Sequence, residues 1–354
     1  MGITHLADVL RSETPGAIQT RPPDHYRGKI LAVDASVFIW QFQSAIPTLN
    51  NRTGEDISVL QGLFNRTIYM LEKGMKPVYV FDGVPPERKR AKVSQDGSCQ
   101  VRRPFRAVES PGPERQGDLK KLLRLMGVPV VQAPSEAEAT CAALVKSDKA
   151  WGAVTEDMDA LPFGCTRLIR NLKADKKKEI EEYNLPEILS TLKMSREQFV
   201  DLCILLGCDY TSKIKGLGEK KALKMIQKYG TIENILQTIR SEDRIPSDFC
   251  YKEARRLFLE PEVADVTALD LEWKKVEEGQ VLQFLSGEKF MNKERVQQAL
   301  QKLHPVKTSR KRKAKSGASG SSAENQKKIN DFFTVKKSAT QSKTSMGSTP
   351  TSSR

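Results

Sequence analysis

Four short apolar runs in the first half of the chain each give way to a carboxylate. The runs are residues 29–33 (KILAV), 76–81 (KPVYVF), 128–131 (VPVV) and 150–154 (AWGAV). Short continuous apolar runs of this kind read as buried strands. Helical patterns lie between some of them, for example at 60–73 (LQGLFNRTIYMLEK) and 119–126. Strands alternating with helices predict an α/β fold with a mostly parallel sheet flanked by helices. Asp34 follows the first run and Asp82 the second; Glu136 and Glu138 come shortly after the third, Asp157 and Asp159 after the fourth. In an open parallel sheet, sites lie outside the carboxyl ends of the strands. Six acids from distant parts of the chain are therefore expected along one edge. Asp209, at the end of the apolar segment 199–210 (FVDLCILLGCDY), is a seventh candidate.

Each acid alone has an ordinary explanation. An Asp just past a strand is a common turn or helix-capping residue. Ser135 and Glu138 fit a capping box, and acids favour the first turn of a helix. Asp157 and Asp159, two apart in a segment expected to be extended, point to the same side; a solvated acidic loop is the alternative. Glu156, pointing the other way, reads as local structure. Four strand ends delivering acid to one edge are harder to dismiss together. Such a cluster must bind cations or raise its pKa values. All-oxygen ligands suit Mg²⁺ or Mn²⁺. Seven carboxylates suffice for two ions, which suits in-line displacement at a phosphodiester.

Several chemistries are excluded. The only histidines are His5, His25 and His304, none in the long central stretch, which argues against Ser-His or Cys-His nucleophiles and a histidine base. The six cysteines show no CxxC spacing. No secretory leader or run of 18 apolar residues is evident, so reduced thiols, no zinc site and no membrane contact are expected. Leu6 stands where myristoylation needs Ser or Thr. The net charge is +14, but residues 305–354 hold 12 Lys/Arg against 2 Asp/Glu, leaving about +4 for the body.

MGITHLADVL, VDAS, VYVFDG, PSEAEATCAALV, TEDMDALPFG, QFVDLCILLGCDY and IKGLGEKKAL together resemble flap endonuclease, the structure-specific 5′ nuclease of DNA replication and repair. The similarity runs, with one gap, from residue 1 to about residue 303. It implies a PIN-like α/β domain, a monomer, and a two-metal phosphodiesterase that takes Mg²⁺, with Mn²⁺ as a substitute. All the family's acidic positions are filled. By analogy Asp34, Asp82, Glu136 and Glu138 serve one metal, while Asp157, Asp159 and Asp209 serve the other, partly through water. The implied regions are 1–92 and 118–210 for the nuclease, 93–117 for an arch, 211–304 for a helix-hairpin-helix and further DNA-binding helices, and 305–354 for a disordered basic tail. Nuclear localisation is implied, with the nucleolus and mitochondrion as further compartments.

In KIKGLGEKK, Gly216 and Gly218 let backbone approach a phosphate, and Lys213, Lys215, Lys220 and Lys221 add charge. An ordinary glycine turn before a solvated helix is the alternative. The resemblance implies duplex binding here, aided by K⁺. It also matches Trp40 to an aromatic that stacks on a base (a core Trp is the alternative), Arg66 to a DNA contact (a solvated helix face is the alternative), and Gly2 to an N-terminus close to DNA once Met1 is removed. Lys89 fits the first basic position of the arch. Beyond it, Gly97, Pro104, Pro111, Gly112, Pro113 and Gly117 are helix breakers, and the stretch is shorter than the family's arch. Arg102, Arg103 and Arg106 replace the arch's second key Arg by charge alone. In the tail, Gln326, Ile329, Phe332 and Phe333 fit the peptide that plugs into the replication sliding clamp, and 309–315 (SRKRKAK) reads as a nuclear localisation signal or plain solvated charge. A flap-cleaving 5′ nuclease and 5′→3′ exonuclease is the leading expectation. A clamp-tethered DNA-binding protein with impaired cleavage is the other. A DxD phosphatase is disfavoured by Leu161, where Thr is expected.

Overall fold

The computed structural model describes residues 2–45, 48–87, 89, 113–172, 179–239 and 245–304. The clamp-binding and nuclear-localisation motifs lie outside the described residues, as does most of the 93–117 stretch. The expected strands form as β2 (Ile30–Asp34), β3 (Lys76–Phe81), β4 (Val130–Gln132) and β5 (Gly152–Val154). Three further strands, β1 (Ile18–Arg21), β6 (Arg167–Arg170) and β7 (Ile180–Asn184), complete one sheet in the order β1-β7-β6-β5-β2-β3-β4. The pairings from β6 through to β4 are parallel, and β7 runs antiparallel to both β6 and β1.

Alternation along the central strands divides the core in two. Ala32, Val78 and Val80 face one buried layer; Leu31, Val33, Tyr79 and Phe81 face the other. The first layer is covered by α1 (Leu6–Glu13), α5 (Ala137–Lys146), α6 (Leu185–Leu192), α7 (Arg196–Leu206), α8 (Glu219–Tyr229), α9 (Ile232–Thr238) and α10 (Tyr251–Leu259). The second is covered by α2 (Ala35–Ala45), α3 (Ser58–Glu72), α4 (Pro113–Leu125), α11 (Glu278–Leu282), the π-turn that follows it, and α12 (Lys293–Gln301).

The helices beyond residue 210 share both cores: Ile226 and Phe258 lie in a cluster with Val78 and Leu202, and Val281 and Leu300 lie in the other with Leu31. Neither set of helices could bury its apolar stripe without the sheet. Gly117 does not break a helix. The chain enters α4 at Pro113, where a fixed φ is tolerated, and Gly117 lies exposed inside that helix.

Residues 260–277 form a strap without regular structure that passes from the first layer to the second. The Lys149 ammonium donates to the carbonyls of Thr267 (3.1 Å) and Leu269 (2.7 Å). The Trp273 indole donates to Pro77 O at 2.9 Å, and Lys274 N–H to Gly127 O at 2.9 Å. Gly127 is required here twice over: its φ is +68°, and a Cβ would overlap the Lys274 carbonyl. Three helices of the first layer are fastened separately by Arg255 on α10, which spans Asp201 on α7 (2.7 and 2.8 Å) and Glu233 on α9 (2.9 Å to each carboxylate oxygen).

Candidate active site

The sheet edge gathers the acids because each is fixed by the element it ends or begins. Asp34 closes β2 and is 0% exposed. Its Oδ1 accepts from the amides of Ser36 (3.0 Å) and Val37 (3.2 Å), starting α2, and its Oδ2 accepts from the Thr155 hydroxyl at 2.9 Å. Asp82, one residue past β3, accepts from Ala137 N–H at 2.7 Å and so starts α5 from a neighbouring strand. The capping-box reading of Ser135 and Glu138 is not realised. Glu136 occupies the N-cap position without a side-chain cap bond, and both Glu136 and Glu138 are buried.

Asp157 and Asp159 converge, though not because the segment is extended. Asp157 caps a single 3₁₀ turn at Met158–Ala160, and its Oδ1 accepts Asp159 N–H at 3.0 Å. Glu156 turns away, accepting from Asn171 N–H at 3.0 Å and pairing with Arg170 at 3.8 Å, as expected of local structure. Asp209, just past α7, lies at the rim with its side chain 39% exposed. Gly2 is packed against the cluster: a Cβ there would overlap Asp157 Oδ1 and Asp159 Oδ1.

Burial dominates the electrostatics. It pushes Asp34 up to about 7, with the nearby Asp82 charge adding to it. Burial also holds Glu138 well above the carboxylate range, assisted by Asp34, and Asp159 likewise, assisted by Asp157. Asp157 is raised for the same first reason. Among the described residues, Lys89 brings a cation into this field. Lys89 Nζ donates to Glu136 Oε1 and lies 3.4 Å from Asp209 Oδ2. Burial lowers its pKa, but Glu138, Glu136 and Asp209 outweigh that and hold it well above the ordinary lysine value.

The donor set fits a hard divalent cation. Asp159 Oδ1 is buried without a hydrogen-bond partner, a position that carries a desolvation penalty unless something positive meets it. Among the described residues, no three acids, histidines or cysteines stand grouped closely enough to hold an ion unaided. Holding an ion at this edge would therefore take side-chain movement or water ligands.

Elsewhere the predicted residues divide. Gly216 has φ +75°, and a Cβ at Gly216 or Gly218 would meet nothing within 4 Å. Gly218 precedes α8 with no side-chain cap. Lys213, Lys215, Lys220 and Lys221 are exposed around this open loop. Trp40 lies on α2 half-buried rather than in the core. Arg66 is a correction. It is 8% exposed, its Nη1 donates to Leu172 O at 2.8 Å, and its guanidinium stacks 4.2 Å from the Phe38 ring centroid. It is not the solvated helix residue that the alternative reading expected. Among the described residues, Cys141, Cys165, Cys203, Cys208 and Cys250 form no disulfide.

Counting acids missed two neighbours. Thr155 donates to Asp34 and accepts Asp157 N–H at 3.1 Å, joining the two halves of the cluster. Tyr210 donates its hydroxyl to Glu136 Oε2. Both lie inside the acid-bearing motifs, directly before TED's acids and directly after Asp209.

Two family models match: the XPG N-terminal domain over residues 1–101 and the XPG I-region over residues 127–209. A flap endonuclease 1 of Entamoeba dispar is 40% identical over 362 aligned positions, covering 95% of this chain and 93% of the relative. The chain belongs to the flap endonuclease family. It is accordingly a nuclease that acts on DNA. Flap endonuclease 1 of Xiphophorus maculatus is 42% identical over 328 positions, 86% of each chain. Among solved structures, the flap endonuclease-1 of Methanococcus jannaschii superposes with a TM-score of 0.67 at 30% identity, covering 81% of this chain and 95% of that one. The catalytic core of Rad2 in complex with DNA substrate gives 0.71 at 25% identity, covering 85% and 100%. The PIN-like, mostly parallel sheet flanked by helices is thus the family's fold.

Proposed function

We propose that this chain is a metal-dependent, structure-specific 5′ flap endonuclease and 5′→3′ exonuclease, serving Okazaki fragment maturation and base excision repair. The observation that carries this is the convergence of acids from four adjacent strand ends and α7, with Asp159 Oδ1 left buried and unpartnered. Asp34, Asp82, Glu136 and Glu138 would hold one Mg²⁺; Asp157, Asp159 and Asp209 a second, with Mn²⁺ as a substitute. When bound, the pair supplies an activated water and neutralises charge at the leaving oxygen.

The chain's own residues supply the rest. The open Gly216–Gly218 turn and the lysines at 213, 215, 220 and 221 grip duplex phosphate, with K⁺ at the turn, without reading bases. Trp40 stacks on the base beside the cut. Lys89, drawn off Glu136, meets the scissile phosphate. Gly2 brings the processed N-terminus to the same point. The tail tethers the enzyme to the sliding clamp through Gln326, Ile329, Phe332 and Phe333, and directs it to the nucleus.

The decisive assay incubates labelled double-flap DNA and Mg²⁺ with wild type beside Asp157→Ala. Product from the variant is expected to fall at least ~10²-fold. Equal product overturns the catalytic assignment, and no product from either favours a clamp-tethered binding protein instead. That second reading draws on the helix breakers at 97, 104, 111 and 112, which disfavour a regular arch. Flap threading is accordingly impaired while metal and duplex binding survive. A bulky group on the flap's 5′ end should slow cleavage little; a fall as sharp as in an intact-arch enzyme overturns this.

A further inference from the structure

The acids of the cluster are not anchored alike. Asp34 is fixed by the amides of Ser36 and Val37, Asp82 by the amide of Ala137, and Asp157 by the amide of Asp159. Glu136 stands at a helix N-cap but makes no cap bond. Its two oxygens are instead divided between two side chains. Lys89, at the start of the chain's passage into the arch region, takes Oε1, and Tyr210 takes Oε2.

The two donors differ in rigidity. Tyr210 is 2% exposed, and its ring packs edge-on against Phe258, with centroids 4.9 Å apart and planes at 63°. Phe258 in turn packs on Phe163 at 5.2 Å. The phenol therefore sits on the core of the first layer, a fixed point. Lys89 is a long side chain on a four-carbon stem that can withdraw. A carboxylate held on one oxygen by a fixed donor presents its other oxygen in a set direction.

We propose that Tyr210 is a positioning residue for the cation site. Its hydroxyl pins Glu136 Oε2 to the core, so that Oε1 remains aimed into the acid cluster when Lys89 gives way to a divalent cation. Without that bond, Glu136 follows Lys89, and the ammonium and the incoming cation compete for a mobile carboxylate. The inference rests on the metal-binding reading of the cluster given above.

The test uses the full-length protein and Ca²⁺, which reports cation binding independently of turnover, by titration calorimetry. Tyr210→Phe keeps the ring and its packing on Phe258 and removes only the hydroxyl. It is expected to weaken Ca²⁺ binding by about 10- to 100-fold, the usual effect of losing a partner that orients a ligand. The Mg²⁺ midpoint for flap cleavage should move up in parallel, while duplex affinity measured in chelator stays at the wild-type value. Glu136→Gln provides the second arm: placed in that background, Tyr210→Phe should change Ca²⁺ affinity no further. A wild type that binds Ca²⁺ and a Tyr210→Phe variant that binds it equally well overturn this inference and leave the metal reading standing. So does a Tyr210→Phe effect that persists in full beside Glu136→Gln. A wild type that binds no divalent cation overturns the metal reading and this inference with it.

Discussion

Replacing Asp34 by asparagine is expected to stabilise the metal-free protein at pH 8 and to abolish flap cleavage. Asp34 is fully buried, and its carboxyl is pushed up to about 7, first by burial and then by Asp82. In the unfolded chain it titrates near 3.8. Below about pH 4 it is neutral in both states and contributes nothing. Between 4 and 7 folding takes up a proton, so stability falls as pH rises; above 7 the whole penalty is present. A displacement of about three pH units corresponds to roughly 4 kcal/mol, at order of magnitude. Asparagine removes the charge and keeps the two backbone bonds, while the bond to Thr155 reverses direction. Its Oδ1 accepts from Ser36 and Val37 as before, and its amide donates to Thr155 Oγ1, which has two lone pairs. Melting in chelator should thus separate variant from wild type at pH 8 and bring them together near pH 4. Glu138, Asp157 and Asp159, all raised, reinforce the pH trend in the wild type. Mg²⁺ should flatten it by stabilising only the wild type. Cleavage should fall at least ~10²-fold. An asparagine variant no more stable than wild type at pH 8 would refute the view of this edge as an under-compensated anion cluster.

Lys89→Met should act with the opposite sign on stability. The ammonium lies between Glu136 and Asp209, with Glu138 the largest attraction on it. Removing one member of a buried pair strands the other charge, which costs about 3–5 kcal/mol when burial is complete. Lys89 is partly open to solvent, so a loss of about 2–3 kcal/mol is expected in chelator. Divalent cation replaces the missing charge and should recover most of that loss, which chemical denaturation with and without Mg²⁺ reads directly. Flap cleavage at saturating Mg²⁺ should still fall at least ~10²-fold, because an ammonium beside a phosphate acts on developing charge. If the variant unfolds with the wild type in chelator, Lys89 is not the internal counter-ion.

The pair of variants also marks how far the sequence alone could be read. β2, β3, β4 and β5 were legible because strands in a parallel sheet are buried on both faces and leave continuous apolar runs. β6 (RLIR) and β7 (IEEYN) carry charge at their ends or along one face, and β1 (IQTR) is a half-exposed edge. Their antiparallel pairing leaves no such run. The acids were legible as a set because strand ends share an edge. The local reasons were not: Asp157 and Asp159 meet through a capped 3₁₀ turn, which no two-residue periodicity announces. Arg66 misled for a related reason. A charged residue on an amphipathic helix is ordinarily solvated, and only the rings of Phe38 and Phe42 and the carbonyl of Leu172 make its burial tolerable. Lys89 and Tyr210 gain their roles from Glu136, 47 and 74 residues away in sequence, and separations of that size carry no periodic signal.

The strap at 260–277 bears on how such a molecule is made. The second apolar layer is begun by Leu31, Phe38, Leu63 and Leu122, and closed only by Val281, Phe284 and Leu300. A chain leaving the ribosome has these early members, and α2, α3 and α4 that pack among them, in hand by about residue 125, but cannot complete the cover until residue 300 has emerged. At ordinary rates of synthesis that interval lasts ~10 to ~35 seconds, far longer than a helix or hairpin takes to form. Throughout it the part of that layer later covered by Val281, Phe284 and Leu300 stays open to solvent or to a chaperone. The strap's bonds to Pro77 and Gly127 then lead the last two helices across the sheet to that layer, so assembly of the nuclease is completed by nearly the last residues of its folded body.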